Sequence, residues 1–457
     1  MTYIIQNAKI INEGKIIEAD VLIKNSRIEK IDKNISVQFA ANEIDASGKY
    51  LLPGIIDDQV HFREPGFPAK AEIYTEAKAA VAGGVTTFMD QPNTKPQTLT
   101  QELLEEKYQI AQQKSLANFS FFMGASNDNI DEVKKTNPKK VCGIKMFMGS
   151  STGNMLVDNE AVLEKVFAEA PCLISTHCES EKVIRQNLEE AERRFGKDIP
   201  VEWHPIIRNE KACFDSSSFA VSMAKKHGAK LNVFHISTAD EIKIFAENTF
   251  VDKNSTTAEV LAALASKKIT AELCVHHLYF DAAQYATLGN QIKCNPAIKD
   301  AHHKVALLEA LLSNQLDLIA TDHAPHTWEE KQQPYPQAPA GLPLVQHALQ
   351  MMLSFYQAGK ISLEKIVEKM CHAPAVIYQI ENRGFIREGY FADLALLDLN
   401  KDFTIKKENI FYKCGWSPLE NKAMKGSITH TFVNGHLAFA DGQFDECQNG
   451  MRLTFDR

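Results

Sequence analysis

The stretch "IIDDQVHFREPG" at 55–66 carries a histidine, an arginine and acidic groups at spacings that suit metal-assisted hydrolysis. On an extended strand alternate side chains share a face, so Asp57, Gln59, His61 and Arg63 are expected to point the same way. Asp58 is then turned away, unless a bulge re-aims it. A His-x-His ligand pair would need histidine at 59. Glutamine stands there, and its neutral amide oxygen is a weaker zinc ligand than imidazole. Further along come Asn93 in "QPNT", Lys145 in "GIKMFM", His177 in "STHCE", His235 in "FHIST" and Asp322 in "ATDHAPH". One buried histidine alone is more often a hydrogen-bonded core residue than a ligand. Several imidazoles and an aspartate meeting at one rim need partners, and a divalent metal supplies one.

Those residues meet only if the chain gathers the ends of many strands. Eight apolar or β-rich runs, at 50–62, 86–93, 117–126, 142–148, 171–179, 230–237, 269–280 and 316–326, alternate with helical patterns such as 98–115 and 255–268. This alternation predicts an α/β fold, a (β/α)8 barrel of the TIM type whose chemistry lies at the C-terminal ends of its strands. The candidate residues fall at or near those ends. Residues 1–50 and 385–457 share a different texture of short alternating strands, with "VNG" at 433–435 as a hairpin turn signal. They are predicted to form the two parts of one small composite β-sandwich domain, flanking a barrel at 51–384.

With 457 residues, 44% hydrophobic, and a formal charge of -8, the chain can bury a large core and lacks the basic excess that nucleic acid favours. Nine cysteines without a C-x-x-C pair suit free thiols in a reducing cytoplasm. No apolar run approaches the roughly 20 residues of a membrane span, so no membrane partner is expected. Other residues draw less chemistry. His276 and His277 are read as neighbours on a strand, facing opposite ways, and His302 and His303 as the start of a solvent-facing helix. Cys178 is expected to point away from His177. "GSSTGN" at 149–154 reads as a βα loop, and the Pro-rich 332–343 as a wall of the pocket.

"PGIIDDQVHFREPG", "PNT" at 92–94, "GIKMFMGS", "THCE", "FHIST", "CNPAIK" at 294–299 and "ATDHAPH" together resemble the cyclic amidohydrolases, above all the dihydroorotase family. The resemblance spans nearly the whole chain. It implies reversible cyclisation of N-carbamoyl-L-aspartate to dihydroorotate in pyrimidine biosynthesis, with one or two zinc ions and a homodimer. It implies that Lys145 is N-carbamylated and bridges two metals, one shared with His61 and Asp322, the other with His177 and His235. Gln59 would serve the His61 side or bond from behind it. Arg63, with a guanidinium fork suited to a carboxylate, and Asn93 are expected to hold the substrate anion, joined by Asn295 and His326. Asp322 would act as general base and then as acid. A salt bridge from Arg63 to Glu64 or Asp57 is the structural alternative. Two other functions remain open at this point. One is another cyclic amidohydrolase, acting on hydantoin, dihydropyrimidine or allantoin; the other is a non-catalytic partner subunit of aspartate transcarbamoylase.

Overall fold

The computed structural model describes residues 1–149, 155–246 and 251–457, so most of the "GSSTGN" loop lies outside the described residues. All eight barrel strands form where the sequence places them: Ile55–Val60, Val85–Asp90, Asn118–Phe121 continued by Met123–Gly124, Ile144–Phe147, Ile174–His177, Leu231–Val233, Ile269–Cys274 and Leu318–Ala320. Successive strands pair in parallel. The parallel bridge Val60↔His323 closes the eighth strand onto the first. The helices at 98–115 and 255–268 appear as Gln101–Lys114 and Thr257–Ser266. Each starts where a threonine hydroxyl, Thr100 or Thr256, accepts an orphan backbone N–H of the first turn.

The two chain ends build one mixed sheet. Leu394–Asp398 lies antiparallel to Tyr50–Pro53, which in turn pairs in parallel with Thr2–Asn12. The "VNG" turn closes the hairpin between Ser427–Val433 and His436–Ala440, with Asn434 and Gly435 both at positive φ as a two-residue hairpin turn requires. The last residues leave this sheet and run back along the barrel, where Phe119 N–H donates to Met451 O and Leu453 N–H donates to Phe119 O.

Three expectations need correction. The strand expected at 50–62 is two strands: residues 50–53 belong to the terminal sheet, and the barrel strand starts at Ile55. Gly54 makes the change of sheet possible, because a Cβ there would stand 2.0 Å from Thr86 Oγ1. His276 and His277 lie on a short helix, Val275–Tyr279, since the seventh strand ends at Cys274; both are buried. His303 does not face solvent: it is buried, its Nδ1 accepts the Ala239 N–H and its Nε2 bonds Glu210.

All nine cysteines are free, and among the described residues no helix is long and apolar enough to cross a membrane. Gly54→Ala should cost about 1–3 kcal/mol by forcing Thr86 aside. Urea unfolding checks this, with Thr86→Ala in the same chain expected to recover part of the loss.

Candidate active site

The ten residues predicted for the site line one cavity of about 300 Å³ at the C-terminal ends of the strands: Gln59, His61, Arg63, Asn93, Lys145, His177, His235, Asn295, Asp322 and His326. Three of them, Arg63 (φ 65°), His235 (φ 42°) and Asp322 (φ 48°), hold left-handed backbone that L-residues with side chains seldom adopt. Each costs on the order of 1–3 kcal/mol, and such strain gathers where a fold fixes side chains for chemistry.

The first strand departs from plain alternation. Its pairing with the second strand shifts register between Ile55 and Ile56 and again between Asp57 and Val60. Asp57 therefore does not line the cavity beside His61. Its carboxylate accepts Thr321 Oγ1–H at 2.6 Å and the backbone N–H groups of Thr321 and Gln59. Asp58, expected to face away, points into the barrel below the cavity. There Tyr378 O–H donates to its Oδ2 at 2.8 Å, and Asn232 and Glu272 are its neighbours. Burial raises both Asp58 and Glu272 above the ordinary carboxylate range. Gln59 stays in the cavity wall, with its amide oxygen accepting the Cys274 thiol at 3.5 Å.

The histidines form two pairs. His177 Nε2 bonds Glu179 Oε2 at 3.1 Å, and that carboxylate is held by Arg208. Burial alone would raise Glu179, but Arg208 and His177 outweigh it and bring its pKa to about 2, so it is a firm anion. With Nε2–H given to Glu179, His177 presents a bare Nδ1, which lies 3.0 Å from His235 Nε2. Burial keeps both imidazoles neutral, as ligands must be. Two nitrogens on a tetrahedral zinc with bonds of about 2.05 Å lie roughly 3.3 Å apart, so this pair fits a metal with little movement.

The second pair makes the same point by conflict. His61 Nδ1 meets Asn93 Oδ1 at 2.8 Å, which places the ring proton on Nδ1. The bare Nε2 then faces Asp322 Oδ1 at 3.1 Å, acceptor against acceptor. A cation or a proton between them satisfies both. Burial pushes Asp322 up, yet a proton shared with His61 and the nearby positive groups outweigh it and hold Asp322 below its usual value. Lys145 stands among these groups with its ammonium 3.9 Å from the Phe234 ring centroid, and burial lowers its pKa to about 7.

Arg63 completes the cavity. Its Nε donates to Pro325 O at 3.0 Å, and its Nη2 lies 3.0 Å from His326 Nε2. The alternative salt bridges are absent: Glu64 pairs with Lys114, and Asp57 with Thr321. Among the described residues Arg63 has no carboxylate within ion-pair distance. Burial lowers its pKa to about 10, so it stays charged. Lys70 also reaches His326, at Nδ1. Of the Pro-rich 332–343, Pro339, Ala340 and Gly341 form one wall. Gly341 (φ 136°) lies so close that a Cβ would stand 2.4 Å from Ala324 O. The Asp57–Thr321 clamp and Arg208 were missed from the sequence. Glu179 was legible as a carboxylate two residues after His177, whereas Arg208 comes from a distant segment with no local signal.

Residues 50–438 match the Amidohydrolase family. Dihydroorotase of Listeria welshimeri is 31% identical over 448 residues, 96% of this chain and 99% of that protein. Dihydroorotase of Pyrococcus horikoshii is 30% identical over 454 residues, 98% of this chain and 94% of that one. Among solved structures, L-hydantoinase from Arthrobacter aurescens superposes with a TM-score of 0.88 at 25% identity, covering 97% of each chain. Dihydropyrimidinase from Brevibacillus agri gives 0.87 at 23% identity over the full length of both.

Glu179→Gln removes the anion that orients His177 while keeping its size. Zinc retention is expected to fall on the order of ten- to a hundredfold in a chelator competition. Unchanged retention would mean that His177 is not held for a metal.

Proposed function

Because the chain belongs to the amidohydrolase family, and within it to the dihydroorotases, we propose that it interconverts N-carbamoyl-L-aspartate and dihydroorotate, as a zinc-dependent cytoplasmic homodimer in pyrimidine biosynthesis. The observation that carries this reading is Arg63: a half-buried guanidinium in the cavity, beside the histidine pairs, with no carboxylate within ion-pair distance among the described residues. Leaving such a cation unpaired is costly, and a substrate carboxylate removes the cost. A neutral hydantoin or dihydropyrimidine ring would not. The likeness to hydantoinase structures is a likeness of fold.

His177 and His235 would hold one zinc ion, and His61 with Asp322 a second, with carbamylated Lys145 between them. Burial keeps much of the Lys145 side chain as the neutral amine that reacts with carbon dioxide. When bound, the metal polarises the ring carbonyl and lowers the pKa of water to about 7. The chain's own groups do the rest. Arg63, Asn93, Asn295 and His326 fix the substrate carboxylate and so set the ring against the histidine pairs. Asp322 takes the proton of the attacking water and returns it to the departing ring nitrogen; in the cyclising direction the same carboxylate removes the ureido proton. Gln59 offers its amide to this side in place of an imidazole.

A dihydroorotase assay on the purified protein, with metal analysis of the same sample, tests the reading. Turnover with bound zinc is expected; metal-free protein that stays inactive after zinc addition contradicts it. Arg63→Met should lower kcat/KM for dihydroorotate on the order of a hundredfold, the worth of a charge-assisted contact. Gln59→His should slow zinc loss to a chelator, because imidazole is the better ligand.

A further inference from the structure

His326 has three polar neighbours at the same distance, and no single form of a neutral imidazole satisfies all of them. Lys70 Nζ lies 3.0 Å from its Nδ1, while Ala340 O and Arg63 Nη2 each lie 3.0 Å from its Nε2. An ammonium and a guanidinium only donate, and a carbonyl only accepts. Lys70 therefore requires a bare Nδ1, Ala340 a proton on Nε2, and Arg63 a bare Nε2. Two contacts agree on one tautomer and the third opposes it.

The surroundings decide for the two. Burial and the positive charges of Arg63, Lys70 and Lys331 hold His326 well below the usual histidine range against the pull of Glu330, so the ring carries a single proton. Glu330 could draw that proton to Nδ1, but its Oε2 lies 3.7 Å from that nitrogen and its Oε1 is taken by Lys70 at 2.8 Å. The Ala340 carbonyl is firmly placed as well. Lys331 Nζ donates to Pro339 O at 2.9 Å and to Gly341 O at 2.8 Å, and so brackets Ala340 on both sides. The proton thus sits on Nε2, and Arg63 Nη2 faces a donor where it needs an acceptor.

We propose that Lys70 is a positioning residue for the substrate carboxylate: by donating to His326 Nδ1 it keeps the ring proton on Nε2, beside Arg63 Nη2–H, so that one carboxylate oxygen accepts from both. This rests on Arg63 taking a substrate carboxylate, and it adds what makes His326 a second donor there. Arg63, His326 and Ala340 line the cavity, whereas Lys70 is not among the lining residues and acts through the imidazole. Two donors 3.0 Å apart gain most from an ionised oxygen, because charge-assisted hydrogen bonds are about twice as strong as neutral ones. Nε2–H is then shared between the anion and Ala340 O.

Two measurements on the full-length, zinc-loaded protein test this. In NMR of isotope-labelled histidine nitrogens, the His326 signals, identified by their loss in His326→Gln, should show a bare Nδ1 and a protonated Nε2. Lys70→Met should shift the proton toward Nδ1. In calorimetry with orotate, the planar analogue of dihydroorotate with the same carboxylate, Lys70→Met should weaken binding about tenfold, the worth of one hydrogen bond to a charged group. KM for dihydroorotate should rise by a similar factor while kcat stays within about twofold. Lys70→Arg, still a pure donor at Nδ1, should restore most of the affinity. A proton on Nδ1 in the unaltered protein overturns the proposal, as does orotate affinity that Lys70→Met leaves unchanged, or a fall in kcat with KM steady. If the unaltered protein neither binds orotate nor turns over dihydroorotate, the assignment of Arg63 to a carboxylate fails, and the proposal fails with it.

Discussion

The carboxylate of Asp57 joins the first strand of the barrel to the turn after the eighth, and the geometry of the site rests on that joint. It accepts the hydroxyl and N–H of Thr321 and the N–H of Gln59, while His61 N–H donates to His323 O at 2.7 Å one step further on. Burying an acid is unfavourable, and burial lifts Asp57 to about 7 even though the Thr321 bonds pull it down. In return, two residues 261 positions apart, His61 and Asp322, are set 3.1 Å from one another. Asp322 keeps a left-handed backbone because the clamp beside it fixes the turn.

Charge is the second organising constraint. Acceptors face each other between His61 and Asp322, and the bare Nδ1 of His177 lies 3.0 Å from His235 Nε2, so one part of the cavity suits cations. Arg63 and Lys70 converge on His326, and because Glu330 already pairs with Lys70 at 2.8 Å, it is Arg63 that calls for an anion. A cyclic amide bearing a carboxylate, bound beside divalent metal, answers both at once. Glu179, fixed by Arg208, and the Asp58–Glu272 acids below the cavity show that the surrounding shell is as deliberately charged as the cavity itself.

Much of this was legible in the sequence. Apolar runs separated by helical ones gave all eight strands, polar residues at their ends gave His61, Asn93, Lys145, His177, His235 and Asp322, and alternation added Gln59 and Arg63, because side-chain period and barrel topology are local and general rules; Asn295 and His326 came from the family resemblance. What local rules could not supply came from long-range packing. Gly54 splits one apparent strand into two because Thr86 crowds it; the register shifts in the first strand turn Asp58 inward and take Asp57 out of the cavity. Arg63 reaches the cavity from a left-handed turn beyond the strand, so its alternation with His61 led to the right face for an incomplete reason. His276, His277 and His303 are buried by neighbours distant in sequence, and no periodicity near them announces it.

The account turns on whether Arg63 selects an anionic ring. The most direct measurement is the ratio of kcat/KM for dihydroorotate to that for 5,6-dihydrouracil, the same ring without its carboxylate, on one zinc-loaded sample. A site built to pair that charge should prefer dihydroorotate by at least about a hundredfold. Equal turnover of the two, or turnover of dihydrouracil alone, would contradict it.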